Sequence, residues 1–312
     1  MLRAMDSAVA GLRSHQNKLD VIGNNIANVN TFGFKSQSYS FKEAMYQTST
    51  ASTSGTATAG GVNPAQYGYG AMMGSIATDM GASTPTYVGG LNASIDGEGF
   101  FITYPSNNLA GLTPGTLKQS DISYTRVGQF NIDGNGYLVD AAGNFVYGYQ
   151  PNGGDVQNPQ YNGNLTNLVA LRVPSAVGGL NYGGNALQLK DVKINSLGEI
   201  TGTVVSQTDA AADGKVVTLG KVAIATFQNP EGLSKKGGNY FGASMGDNSG
   251  AVSATIPGGN TASLMTGYLE ASNVDLAKEF SDMITTQRGF QANSKIITVS
   301  DEILSDLINM KR

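Results

Sequence analysis

Over the last forty residues, apolar side chains return every seven positions as Leu276, Met283, Phe290, Ile297 and Leu304, with Phe280, Gln287, Ser294, Asp301 and Ile308 at the complementary four-three offset. One seam position is always apolar and its partner is often polar, while Ile284, Ile296, Ile303 and Leu307 widen the stripe. The pattern predicts an amphipathic helix from residue 272 to residue 312, opened by a capping box of Ser272 and Asp275. A helix of roughly 35 residues spans about 50 Å, longer than a small domain can cover, so it needs partners along its length. The N-terminus repeats the device: Met5, Ala8, Leu12, His15, Leu19, Ile22, Ile26 and Val29 stand three and four apart, with Leu2 and Val9 beside them. Gly11 and Gly23 interrupt this second helix, and because each glycine costs about 1 kcal/mol relative to alanine, close approach of a neighbouring backbone is the favoured reason for them. Two such helices can pair antiparallel and leave residues 31–271 as one inserted body. An intramolecular helical hairpin is the plainer form of the same pattern.

Between the helices the pattern changes twice. Residues 36–90 are dominated by Ser, Thr, Ala and Gly, with short apolar patches at residues 71–73 and 86–88, which by composition alone is a flexible linker. From Leu91 the runs are those of strands, at residues 91–104, 124–132, 137–140 and 145–149, and again at 192–203 and 219–232. Asp133-Gly134-Asn135-Gly136, Ala142-Gly143-Asn144 and Ser196-Leu197-Gly198 lie between them as turns, the first two of which permit positive φ and predict hairpins. The fold expected is therefore mixed α and β: paired, coiled-coil-like terminal α-helices carrying an inserted, mainly antiparallel β domain. Its parts are residues 1–30 with 272–312 as the helical assembly domain, 31–90 as an extended connector, 91–150 with 191–271 as the β domain, and 151–190, rich in Asn and Gly, as a small insertion or outer loop region.

Composition narrows the function. With 40% hydrophobic residues the 312-residue chain can bury a core, and a net charge of -4 without a basic face argues against nucleic-acid binding. Between Glu43 and Leu117 there is no Lys or Arg. Cysteine is absent, which removes disulfides, thiolate nucleophiles and Cys-ligated metals together. No run approaches the roughly 20 apolar residues of a membrane span, and no apolar signal segment opens the chain, so export would proceed without a classical signal peptide.

Candidate chemistry is thin. Asn131, Asp133, Asn135 and Gly136 fit the start of a calcium loop, but Ala142 stands where the bidentate acid belongs, and the same residues make a hairpin turn. Gly68, Gly70 and Gly74 miss the dinucleotide fingerprint by one position. His15, the single histidine, sits in the N-terminal stripe and suits packing better than catalysis. Asp96, Glu98, Asp121, Asp133 and Asp140 could supply a pair of glycosidase carboxylates, but the low charge and the absence of Trp speak against an enzyme. Neither helix has the Lys/Arg-rich face of a membrane-surface helix: Glu279, Asp282, Asp301 and Glu302 mix with Lys278, Arg288 and Lys295. No catalytic, cofactor or metal site is expected.

The wording at both ends is more specific than their periodicity. Asn25-Ile26-Ala27-Asn28-Val29-Asn30-Thr31-Phe32-Gly33-Phe34-Lys35, after the first helix, resembles the signature of the axial proteins of the bacterial flagellum, the rod and hook family. Ser272-Asn273-Val274-Asp275-Leu276 and Thr286-Gln287-Arg288-Gly289-Phe290-Gln291-Ala292-Asn293-Ser294 are similar to the same family's C-terminal motif. The runs Asn92-Ala93-Ser94-Ile95-Asp96-Gly97-Glu98-Gly99-Phe100-Phe101 and Tyr124-Thr125-Arg126-Val127-Gly128-Gln129-Phe130 resemble its β-domain motifs. Arg288-Gly289-Phe290-Gln291 and the Lys311-Arg312 ending are closer to the family's hook branch than to its distal rod branch, which carries an Arg-Ala-Tyr type run.

The resemblance implies a structural subunit of the hook that self-assembles into a helical tube, a flexible joint passing motor torque to the filament; the distal rod subunit, a stiff drive shaft, is the alternative within the family. A secreted β-rich binding or adhesive module is the alternative outside the family. The implied partners are further copies of itself, the distal rod, hook–filament junction and hook cap proteins, and the flagellar export apparatus, with no nucleic acid and no membrane insertion. The location implied is extracellular, in the hook and basal body. The self-assembly seams expected are Leu12, Leu19, Ile22 and Ile26 on the first helix and Leu276, Phe280, Met283, Phe290, Ile297 and Leu304 on the second. The signature residues are Asn25, Asn28, Asn30, Thr31, Gly33, Phe34, Lys35, Asn273, Asp275, Gln287, Arg288 and Asn293.

Overall fold

The computed structural model describes residues 2–55, 60–106, 117–118, 121–151, 154–155, 158–159, 168–173, 181–182, 185–186, 188–205, 214–258 and 261–310. The chain forms two units, one of residues 1–29, 36–79 and 274–312 and one of residues 30–35 and 80–273. Most of the expected insertion 151–190, and the Lys311-Arg312 ending, lie outside the described residues.

The first unit is built on α1 (Leu2–Ala27) and α2 (Leu276–Met310). They run antiparallel: Gly11 meets Asn293, His15 meets Gly289, Lys18 meets Asp282 and Asn25 meets Glu279. The start of α2 corrects the expected capping box. The cap is Asp275, whose Oδ1 accepts from the backbone N–H of Ala277 at 2.9 Å and of Lys278 at 3.3 Å, and Ser272 lies outside the helix. Asp275 was expected three residues inside the helix, but a carboxylate accepts both exposed N–H groups at once and favours the positive end of the helix dipole, so it serves better as the cap itself.

The segment whose composition suggests a flexible linker is ordered within this unit. Strands β1 (Gln37–Glu43) and β4 (Ala71–Thr78) pair antiparallel, with a register shift between Ser40 and Phe41, and β2 (Tyr46–Thr50) pairs with β3 (Ala65–Gly68) to prolong the ribbon. The ribbon is held on α1 by Ser14 Oγ donating to the Ala71 carbonyl at 3.1 Å, and by Gly70 at φ +90°, where a Cβ would come within 2.9 Å of the Ser7 carbonyl oxygen. Composition hid this because Ser and Thr satisfy a ladder whose side chains are mostly exposed.

The second unit is antiparallel β. Among the described residues its main sheet has 13 strands, with Phe145–Tyr149 and Phe100–Tyr104 adjacent near its middle. Four consecutive residues of Phe100–Tyr104 are buried, so both faces of this strand are covered. Phe100 and Ile102 pack with Tyr124, Tyr147, Phe227 and Phe241 on one side. Phe101 packs with Phe130, Leu138, Val146 and Val222 on the other. The expected turns are formed: Gly136 and Gly143 both take φ +84° and Gly198 takes +73°. The expected strand 91–104 is interrupted at Gly97 (φ +125°) and Gly99 (φ +138°), which leaves Ala93–Asp96 to pair with Ser263–Thr266 instead of continuing the main sheet.

Candidate assembly interface

The seam between α1 and α2 is made of small and polar residues. On α2 the buried residues are Glu279, Thr286 and Ser300, seven and fourteen apart, with half-buried Asn293 completing the series. Thr286 Oγ1 donates to the Asp282 carbonyl, Asn293 Nδ2 to that of Gly289 and Ser300 Oγ to that of Ile296, so these polar groups are satisfied on their own helix and leave room for a close partner. A Cβ on Gly11 would lie 2.9 Å from Asn293 Nδ2, and one on Gly289 would lie 2.6 Å from His15 Cε1. The seam closes at Asn25, which donates to Glu279 Oε1 at 3.0 Å and to the Gln37 carbonyl at 2.8 Å, and accepts from the Gln37 N–H at 3.0 Å.

Of the residues expected in an apolar seam, Ile22 is buried, while Leu12, Leu19, Ile26, Met283, Ile297 and Leu304 are half-buried and Leu276, Phe280 and Phe290 are exposed. The apolar residues of α2 instead form two exposed runs. Leu276, Phe280 and Ile284 stand four apart; Ile296, Val299, Ile303 and Leu307 stand three, four and four apart. At about 100° per residue the two runs fall on opposite flanks of the Glu279–Ser300 seam. Helix α2 thus pairs inside the chain through one polar stripe and carries an uncovered apolar flank on either side.

The N-terminal signature divides between both units. Asn25 belongs to the helical seam, and Asn28 Nδ2 donates to the Asn24 carbonyl at 2.9 Å as α1 ends. Residues 30–35 are a peg set into the β unit. Thr31 closes its turn by accepting from the Phe34 N–H. Gly33, at φ +67°, lies so close to Val127 that a Cβ would meet its side chain at 2.7 Å, and its N–H donates to the Glu270 carbonyl at 2.8 Å. Asn30 is exposed, Phe34 is buried, and the Lys35 side chain is fully buried with Nζ 2.7 Å from Glu270 Oε1 and 2.6 Å from the Gly81 carbonyl. In the C-terminal signature Asn273 is half-buried, Asp275 is the cap of α2, Asn293 packs on Gly11, and Gln287 and Arg288 are exposed. Sequence reading missed Glu270 as the partner of Lys35, and Arg126 as a second cation facing the same carboxylate; the two are 1% and 2% exposed and lie 235 and 91 positions from Lys35 along the chain.

His15 is the one seam residue that titrates near neutrality. Its Nδ1 is buried without a hydrogen-bond partner among the described residues, its ring lies 5.3 Å from that of Phe41, and burial, then the positive charge of Lys18, lower its pKa from 6.5. The charged group acting on it is Lys18, which itself lies 3.9 Å from Asp282 on α2. Because the paired state has the lower pKa, separated helices take up the proton first. The contribution of His15 to pairing is complete above the ordinary value and is lost as pH falls through it. Helix pairing is therefore expected to weaken as pH falls below the ordinary histidine value of 6.5, and to weaken less in His15→Gln, as followed by the thermal melt of the helical signal. Equal slopes in the two proteins would contradict it.

Two of the remaining candidates, Asp133 and Asp140, are engaged within the fold. Asp133 Oδ1 accepts from the N–H groups of Asn135 at 3.0 Å and Tyr137 at 2.6 Å, which spends the supposed calcium ligand on its own hairpin. Asp140 is likewise engaged by the N–H groups of Ala142 and Asn144 and by the Tyr240 hydroxyl. Among the described residues no group of three or more His, Asp or Glu is placed to hold a metal ion, and no helix is long and apolar enough to cross a membrane.

Three family models match the chain: "Flagella basal body rod protein" over residues 5–35, "Flagellar hook protein FlgE/F/G D1 domain" over residues 94–202, and "Flagellar basal body rod FlgEFG protein C-terminal" over residues 265–310. The chain is 39% identical over 315 aligned positions to the flagellar basal-body rod protein FlgG of Bacillus subtilis, with all of both chains covered. It is 31% identical over 319 positions to the FlgG of Borreliella burgdorferi, and 26% identical over 457 positions to the flagellar hook protein FlgE of the same organism, again with all of both chains covered.

Proposed function

The chain belongs to the flagellar rod and hook family of axial proteins, and on that premise we propose that it is a subunit of the stiff rod section of the axial tube, polymerising head to tail through its terminal helices. The observation that carries the reading toward the rod is the alignment with a rod-named protein over 315 positions, of which about three face no residue of this chain. The hook-named relative needs 457 positions, so roughly a third of that alignment faces no residue of this chain. A further outer domain of that size has no sequence here to form it.

The hook reading rests on Arg288-Gly289-Phe290-Gln291 and on the Lys311-Arg312 ending, which lies outside the described residues. Packing gives Gly289 a local cause, since His15 lies where any side chain at that position would go. The run therefore weighs less for the hook than its wording suggests. Assembly itself follows from the two exposed flanks of α2. Burying one Leu, Ile or Phe side chain is worth about 1.5–3 kcal/mol, and contacts between unlike flanks of identical subunits generate an open helix wherever the rotation between them does not close into a ring. Within this reading the partners are copies of the same chain, neighbouring axial proteins and the export apparatus, and the location is the extracytoplasmic basal body.

Electron micrographs of concentrated purified protein test the assignment. Straight, stiff tubes are expected. Curved tubes would return the chain to the hook, and a protein that stays monomeric at every concentration would favour a binding module.

A further inference from the structure

The peg at residues 30–35 interrupts the helical unit: the chain leaves α1, enters the β unit for six residues, and returns to β1. Everything that fastens it there is specific. The Lys35 ammonium lies between Glu270 Oε1 and the Gly81 carbonyl, and Glu270 Oε1 also accepts from the Ser83 N–H at 3.1 Å. Arg126 Nη1 stands 3.5 Å from Glu270 Oε2, its guanidinium 5.5 Å from the centre of the Phe100 ring. Lys235 Nζ donates to the Lys35 carbonyl at 2.9 Å and lies over the Phe34 ring, and Asn239 Nδ2 donates to the Phe32 carbonyl at 2.8 Å. The carboxylate at the centre sits where residues 81–84 enter the β unit and residues 270–273 leave it, with the Ala271 N–H donating to the Thr84 carbonyl at 3.2 Å and Ser83 Oγ to that of Ser272 at 2.9 Å.

Two features single this cluster out from ordinary packing. It buries two cations against one carboxylate, with Arg126 Nε, Arg126 Nη1 and Glu270 Oε2 lacking hydrogen-bond partners among the described residues. Such an arrangement is a poor source of stability, since apolar residues of similar volume commonly replace a buried ion cluster without loss. What charges add is direction: an apolar contact slides at little cost, whereas a buried ammonium displaced from its carboxylate is left unpaired.

Resting on the axial-subunit reading, we propose that Lys35, Arg126 and Glu270 are positioning residues of a torsional lock. They fix the peg, and with it the crossings at 81–84 and 270–273, against slip, so that torque carried by α1, β1 and α2 passes into the β body through every chain connection at once. The lock is a device for working under load and is not required for folding or for tube formation.

The test is the variant Lys35→Met/Arg126→Met/Glu270→Met, compared with wild type as purified tubes and as the only copy in motile cells. Wild-type tubes are expected to protect the Gly33 amide as well as the central strands of the sheet. In the variant that amide is expected to exchange about 100-fold faster while the melting temperature of the β unit is unchanged. Cells carrying the variant should swim normally in dilute medium and lose speed faster than wild type as viscosity is raised. Fast exchange of Gly33 in wild-type tubes overturns the lock without any variant, as do wild-type performance of the variant under load and a variant that folds but forms no tubes. Wild-type protein that forms no tubes at all sinks the axial reading instead.

Discussion

A purified chain carrying Ile303→Asp is expected to fold normally and fail to polymerise, and when added in small amounts to wild-type protein it should stop tubes from growing. Ile303 is 45% exposed on one flank of α2 and Ile284 is 58% exposed on the other, so neither contributes to a core inside the chain. In the assembly proposed above both would be buried. An aspartate there replaces a favourable contact of about 1.5–3 kcal/mol with a charge whose burial costs several kcal/mol more, at every repeat of the helix. Because the two flanks are distinct, each single variant keeps one working face: Ile303→Asp and Ile284→Asp can each join the matching end of a wild-type tube and then offer nothing to the next subunit. Sedimentation of the pure variants and tube lengths in mixtures measure this. Normal tubes from either variant would show that its flank faces solvent in the assembly as well. Shortening in neither mixture would show that the two flanks act together as one face.

Both helices, their antiparallel pairing and the hairpins of the β body could be read from the chain because each is written locally: a seven-residue period, or a Gly-bearing turn between strand-like runs. The face through which the helices pair could not. A count of apolar positions selects Leu12, Leu19, Phe280 and Phe290, which the folded chain leaves half or fully exposed, and passes over Glu279, Thr286 and Asn293, which line the contact; of the two helix glycines expected at a close approach, Gly11 meets Asn293, whereas a Cβ on Gly23 would meet nothing within 4 Å. The reason is physical. Intrachain pairing here depends on close backbone approach and internally satisfied polar groups, whereas the apolar stripe marks surface still to be covered. Lys35 was visible as part of a signature but not as one corner of an ion cluster, since its partners are brought near only when the ends of the β unit meet. The ribbon at residues 37–78 was hidden by a composition that suits a linker equally well.

The largest effect on stability is expected from a single methyl group. Gly128 lies in the Tyr124–Phe130 run that resembles the family's β-domain motif, and its carbonyl accepts from the Ala93 N–H at 2.9 Å. A Cβ there would fall far inside van der Waals contact with the Ala93 carbonyl oxygen and 2.9 Å from the Phe101 ring. No rotamer change relieves this, because the obstructing atoms are backbone and a ring with no exposed surface. The segments must move apart, which loosens Ala93–Asp96 from Ser263–Thr266 and, two residues on, the Tyr268–Glu270 strand that carries the central carboxylate. Gly128→Ala should therefore cost at least about 3 kcal/mol, the upper end for overpacking, and lower the melting temperature of the monomer by roughly 6–12 °C. Gly134→Ala is the control: its Cβ meets nothing within 4 Å, so the same added methyl should change stability by less than about 0.5 kcal/mol. If the two variants melt together, the approach of residues 93 and 128 is not rigid in solution, and the glycine is held by something other than the space it leaves.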